Sequence, residues 1–212
     1  MKLYGSHMAP NSDRVVLFLA EKGLSVPFVP VDLMQGEHYA KEYRERIAPN
    51  ARIPALELDD GTVLRESVAI CRYFEEIQPA PALMGTTALE RAQVEMYQRL
   101  MEMELMMPIA MCFRHGHPAG AKLENPQIAQ LAEVSRPRAE KRLAVLNKEL
   151  ADREYLAGAF SIADITAFVA INFARASKIA PLPEHTHIQA WMQRMLQRPA
   201  IADGMALIKG KR

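Results

Sequence analysis

At Pro79-Ala80-Pro81-Ala82 the periodicity of the chain changes, and this break constrains the fold more than any other feature. Each proline disfavours helix at the residue before it, so no regular element is expected to run through. Before the break, short alternating apolar runs interleave with helical spacing. After it, no convincing strand appears and the apolar residues recur at helical spacing. The expected organisation is an α/β domain over residues 1–78, a linker over 79–85 and an all-helical domain over 86–212. A chain of 212 residues can bury a core of this size without covalent staples.

In the first part, Leu3-Tyr4 reads as a strand, and Val15, Phe18, Leu19 and Lys22 follow at helical spacing up to the stop at Gly23. Pro27 to Leu33 reads as a second strand, with Val29, Val31 and Leu33 alternating, and the charged stretch from Gly36 to Arg46 as an exposed helix. Ala55 to Leu58 and Thr62 to Leu64 flank Asp59-Asp60-Gly61, a hairpin signal, because an Asp-Gly turn supplies the positive φ of a tight connection. A last helix carries Val68, Cys71, Phe74 and Ile77 on one face. The order βαβα then ββα implies a parallel pair joined by a right-handed crossover, with antiparallel strands added to the same sheet. That is a thioredoxin-like layout.

In the second part, Leu89, Met96, Leu100, Met103 and Met107 form one long apolar stripe, and further helices are expected from about Gln127 to Arg153 and from Ser161 to Ser177. Pro108 and Pro137 fall inside helical patterns and predict kinks or breaks. The expectation is a helix bundle.

With 26 basic against 25 acidic side chains, no global field draws nucleic acid or an anionic membrane. Cys71 and Cys112 show neither a CxxC nor a metal-ligand spacing, so the reading is a reducing, cytoplasmic compartment and no metal. No signal peptide or membrane span is expected. Gly5-Ser6-His7-Met8 resembles a vector-derived scar, but it follows a strand and precedes helix-like sequence, and is read as native.

Two short motifs point to chemistry. Ile53-Pro54 stands just before a strand, where a cis bond would turn the backbone groups of Ile53 outward to pair with an extended peptide. The plainer reading is a proline that simply starts a strand. Glu66-Ser67 opens the last helix of the first part. Free amides at a helix N-terminus can hold a carboxylate, and Glu66 an ammonium group, so together they suit the α-amino-acid end of a ligand. Alternatively, Ser67 is only an N-cap.

Ile53-Pro54, the Asp-Asp-Gly hairpin, Glu66-Ser67 and, in the second part, Ser161-Ile162-Ala163-Asp164 together resemble the cytosolic glutathione transferases, over nearly the whole chain. The resemblance implies that Ile53 and Pro54 meet the cysteinyl unit of glutathione, Glu66 and Ser67 the γ-glutamyl end, and His38 and Arg52 the glycyl end. It also implies a homodimer, with glutathione as co-substrate and a small hydrophobic electrophile as its partner. Ser161 and Asp164 would form the family's capping motif.

The departure lies at the thiol. Where relatives carry Tyr, Ser or Cys after the first strand, counting back from Arg14 gives Ala9. The stretch resembles a bacterial and fungal branch in which the first helix N-terminus and a water held by the helical domain activate sulfur. Asn11, Ser12 and His115 are then the candidate activators, and Arg114, Met107 and Met111 the candidate wall of the electrophile pocket. For Ser12 an N-cap role is the plainer reading. Conjugation is the leading expectation; glutathione-dependent peroxide reduction or isomerisation, and a non-catalytic binding protein, are the alternatives.

Overall fold

A computed structural model describes residues 1–7 and 9–210. Met8, in the Gly5 to Met8 run, and residues 211–212, the end of the expected helical domain, lie outside the described residues. The chain forms two compact units: Met1–Pro81 together with a C-terminal helix that starts at Pro199, and Ala82–Arg198.

The first unit runs β1 (Lys2–Gly5), α1 (Pro10–Glu21), β2 (Phe28–Pro30), a 3-10 turn (Glu37–Tyr39), α2 (Lys41–Arg46), β3 (Ala55–Glu57), β4 (Val63–Arg65) and α3 (Ser67–Ile77). The sheet order is β2-β1-β3-β4, with β1 and β2 parallel and the other pairs antiparallel. This is the thioredoxin-like arrangement. Strand β2 is shorter than the alternation to Leu33 suggests: the Val31 amide reaches Gly5 O, and β1 ends there, leaving nothing further to pair with. The expected helix from Gly36 to Arg46 is divided at Ala40, whose ψ of 141° is extended. On α3 the buried face is Ser67, Ile70, Cys71 and Phe74, while Ile77 is exposed. The break after α3 is tied to α1 by the buried Lys22, whose Nζ donates to Gln78 O at 2.8 Å and Pro81 O at 2.6 Å and pairs with Glu75 at 2.5 Å.

The helix α9 (Pro199–Gly210) corrects the expected assignment of everything from residue 86 to one helical domain, because it packs on α1 in the first unit. Ile201 and Ile208 are buried there. A Cβ at Gly204 would stand 2.7 Å from Leu17 Cδ2, so a larger residue there would have to displace the end of that side chain.

In the second unit α4 (Ala88–Leu100) starts with a capping box of Thr87 and Glu90, and passes through a π-helical segment, Met101–Met106, into α5 (Met107–Gly116). Then follow a 3-10 turn (Pro118–Lys122), α6 (Ala129–Glu149), α7 (Ile162–Ala174), a second 3-10 turn (Arg175–Ser177) and α8 (Thr186–Gln197). Pro108 follows the π segment, whose wider turn accommodates the missing amide and relieves the clash with a preceding carbonyl. Pro137, expected to kink or break its helix, does not break it: α6 runs on through it. The stripe Leu89, Met96, Met103, Met107 is the exposed face; Val94, Tyr97, Met101 and Leu105 are the buried one. Helix α7 is buried along most of its length, which explains its apolar composition. Among the described residues no helix is long and apolar enough to cross a membrane.

Candidate functional site

Sheet register brings the sequence motifs of the first unit to one end. Ala55 at the start of β3 lies opposite Arg65 at the end of β4, so Ile53-Pro54 and Glu66-Ser67 leave the sheet side by side. Tyr4 of β1 lies opposite Ala55, so Gly5 and the turn into α1 emerge at this same end.

The Ile53-Pro54 bond is cis, as the sequence suggests. No hydrogen bond among the described residues uses the Ile53 backbone, which leaves an amide and a carbonyl for an extended ligand. The loop before it is held by Tyr43, a buried residue of α2 whose hydroxyl donates to Arg52 O at 2.8 Å. Burial pushes that phenol up to about 12, so it remains a donor. Ala51 holds a φ of +52°, a left-handed conformation uncommon outside glycine. Nothing in the spacing singled out Tyr43; it reads as one apolar residue in a short charged helix. The Arg52 side chain is exposed, whereas His38 is buried with its ring 3.9 Å from that of Tyr39.

Glu66 stands at the N-cap of α3 with φ +69°, and its side chain is exposed. A non-glycine residue in that region costs about 1–3 kcal/mol, held in place by the strand on one side and the helix on the other. Ser67 is not the cap but the first helical residue, and its buried Oγ accepts from Arg14 Nη1 at 2.6 Å. An exposed carboxylate beside a helix N-terminus is complementary to an ammonium and a carboxylate on one carbon.

At α1 the cap is Ala9, without a side-chain acceptor, followed by Pro10. The amides of Ser12 and Asp13 both bond Ala9 O, and among the described residues the Asn11 amide has no acceptor. Ser12 is therefore not the N-cap. It is fully buried and its Oγ accepts from the Ser6 amide at 3.2 Å, an approach possible because a Cβ on Gly5 would lie 2.8 Å from that oxygen. The Asn11 side chain is exposed. His7, which the sequence reading did not single out, is buried in this turn, stacked on Phe28 at 4.2 Å, with Nδ1 3.9 Å from Asp13 Oδ1.

In the second unit His115 is buried and its Nδ1 accepts from the Ile128 amide at 3.2 Å, which requires the proton to sit on Nε2. Arg114 is held by Glu124 at 2.6 Å. Met107 is half exposed and Met111 partly buried. Burial pushes the Cys71 thiol up to about 12 and raises that of Cys112, so neither suits nucleophilic work. Among the described residues no three His, Cys, Asp or Glu side chains gather as metal ligands would.

Comparison with known proteins agrees with this geometry in both parts of the chain. Residues 3–82 match the family model of the glutathione S-transferase N-terminal domain, and residues 101–199 that of the C-terminal domain. The chain is 35% identical to glutathione S-transferase 2 of Saccharomyces cerevisiae, covering 95% of this chain and 88% of that one. It is 32% identical to glutathione S-transferase GstA of Escherichia coli, covering 89% of each. The solved structure of a glutathione S-transferase domain-containing protein from Marinobacter aquaeolei, 38% identical, superposes with a TM-score of 0.90 over 95% of this chain and all of the other. That of Gtt2 from Saccharomyces cerevisiae, 34% identical, gives 0.91 over 96% of this chain and all of the other.

Proposed function

The chain belongs to the glutathione S-transferase family, and from this we propose how it carries out glutathione transfer. Glutathione is the co-substrate. Its thiol loses a proton, the thiolate sulfur attacks an electrophilic carbon of a small hydrophobic molecule, the new S–C bond forms, and the leaving group departs with its electron pair.

The observation that carries this reading is the convergence, at one end of the sheet, of the Glu66-Ser67 helix start with an Ile53 backbone and an Asn11 amide that have no partner among the described residues. Ile53 would pair with the cysteinyl backbone, Glu66 with the γ-glutamyl ammonium, and the α3 N-terminus with its carboxylate. Arg52 and His38 are assigned to the glycyl end, Arg52 directly and His38 from its buried position. With no Tyr, Ser or Cys at position 9, activation by the first unit falls to the α1 amide at Asn11 and to Ser12. Lowering a thiol from about 8.5 by about two units needs only about 2.7 kcal/mol, within reach of one helix N-terminus and one donor. Arg114 is engaged by Glu124, which leaves Met107 and Met111 as the favoured apolar contacts for the electrophile.

We further propose a cytoplasmic homodimer. Its support is the exposed stripe Leu89, Met96 and Met103 on the second unit, an apolar face of the kind that marks an interface, and two buried free cysteines. Retention on immobilised glutathione followed by a conjugation assay with a chromogenic aryl halide tests the function. Retention and turnover are expected; retention alone would make the chain a binding protein, and no retention would overturn the reading.

A further inference from the structure

A cavity of about 470 Å³ lies within the second unit, between the end of α5, the first half of α6 and the 3-10 turn that follows α7. That volume suits a small molecule. None of the residues assigned above to glutathione or to the electrophile lines it. Cys112, Pro118, Ala132 and Ala176 give it an apolar wall, and Glu133, Arg136, Ser177 and Lys178 a polar one. Glu133 and Lys178 are exposed and opposite in charge, yet among the described residues neither side chain has an ion-pair or hydrogen-bond partner. Ser177 is only 8% exposed, and its buried Oγ also lacks a partner among them. A buried hydroxyl left unsatisfied is costly, and native folds keep few of them.

The polar wall is held in place. Arg136 Nη2 donates to Ser177 O at 2.7 Å and its Nη1 to Lys178 O at 3.5 Å, while Glu140 pairs with the same guanidinium at 3.8 Å. Lys178 stands at φ +56° in this grip, a left-handed conformation uncommon outside glycine. His117 also lines the cavity, and its Nδ1 accepts from the Ala119 amide at 3.1 Å, so its proton sits on Nε2 as a further donor.

We propose that this cavity is a small-molecule site that takes an α-amino acid with an apolar side chain. The carboxylate pairs with Lys178, the ammonium with Glu133, and the apolar wall takes the side chain. A plain organic acid would leave Glu133 unpaired beside a second negative charge, and a plain amine would do the same to Lys178. A zwitterion satisfies both with charge-assisted hydrogen bonds. The assignment does not depend on the glutathione reading, because the two share no residue.

Titration calorimetry on the whole chain with L-phenylalanine, 3-phenylpropionate and 2-phenylethylamine tests this, since the last two lack the ammonium and the carboxylate respectively. L-Phenylalanine should bind about tenfold to a hundredfold more tightly than either analogue, the range expected of a charged hydrogen-bonding group. Glu133→Gln should lower its affinity by about tenfold without weakening 3-phenylpropionate, and Lys178→Gly by about tenfold without weakening 2-phenylethylamine. Should Lys178→Gly fail to fold, Lys178→Asn decides, because asparagine tolerates the same backbone conformation. Glu66→Ala should leave L-phenylalanine binding unchanged. The proposal is overturned if L-phenylalanine shows no saturable binding, if either analogue binds as tightly, or if the charge variants bind it as wild type does. Loss of binding in Glu66→Ala alone would place the amino acid at the start of α3 and overturn it equally.

Discussion

Glu66 combines an uncommon backbone conformation with an exposed carboxylate, so its side chain can be removed without disturbing packing. Glu66→Ala is expected to weaken glutathione binding by about 1.5–3 kcal/mol and to leave the denaturation midpoint nearly unchanged. Normal binding, or an unfolded variant, would dismiss the role assigned to Glu66. At the sulfur, single substitutions Asn11→Ala and Ser12→Ala should each lower kcat/KM by about tenfold to a hundredfold, since one hydrogen bond to a thiolate contributes about 1.5–3 kcal/mol. Total loss in any one of them, with glutathione still bound, would show that activation is not shared. Ser12→Ala should also lower stability by about 1 kcal/mol, because its buried oxygen holds the Ser6 amide. These residues differ in how far the sequence revealed them. Glu66 and Ile53 were legible as candidates because each adjoins an element boundary that local rules can locate. The bonds of Arg14 to Ser67 and of Tyr43 to Arg52 O were not legible, because these partners meet only after the chain has folded.

Among the helices, α7 depends most on its start. Asp164 is fully buried and accepts from the amides of Leu156 at 3.0 Å and Ser161 at 3.1 Å, from the Ser161 hydroxyl at 3.2 Å and from Trp191 Nε1 at 3.1 Å. The capping box was legible in Ser161-Ile162-Ala163-Asp164, but the bonds to Leu156 and Trp191 were not, since they come from outside the local turn. Asp164→Ala therefore loses more than a cap, about 2–4 kcal/mol at pH 7, measured by chemical denaturation. Burial pushes this carboxyl up to about 6, with the four donors opposing. A folded value above the usual 3.8 means that the native state binds the proton more tightly, so the contribution of Asp164 is greatest at low pH and declines as pH rises through 6. The gap between wild type and Asp164→Ala should accordingly be about 1 kcal/mol wider at pH 5 than at pH 7. A gap that narrows on acidification would show that the donors prevail over burial.

At the scale of the whole molecule, the exposed face of Leu89, Met96 and Met103 predicts a homodimer at micromolar concentration, and Met96→Glu with Met103→Glu should yield the 23.8 kDa monomer in sedimentation. A monomeric wild type would refute the proposed assembly. The sequence by itself determined the order of strands and helices up to Ile77, the change of character at Pro79 to Ala82 and the helical second part, and it marked Ile53-Pro54 and Glu66-Ser67 as candidate motifs. Each of these follows from short-range rules: strand alternation, turn chemistry, helix starts and the exclusion of proline from regular structure. Tertiary structure decided what those rules cannot reach. The stripe of Leu89, Met96 and Met103 has the periodicity of a buried face, yet it is the opposite side of α4 that packs, because periodicity gives a face without its direction. Pro137 leaves α6 unbroken, since packing along a long helix offsets one missing hydrogen bond. Helix α9 returns to α1, with Ile201 and Ile208 buried and Gly204 close to Leu17, a match between residues far apart in the chain. The buried link from Arg14 to Ser67 exists for the same physical reason, a side chain and its partner brought together by the packing of α1 on α3 rather than by any neighbour in sequence.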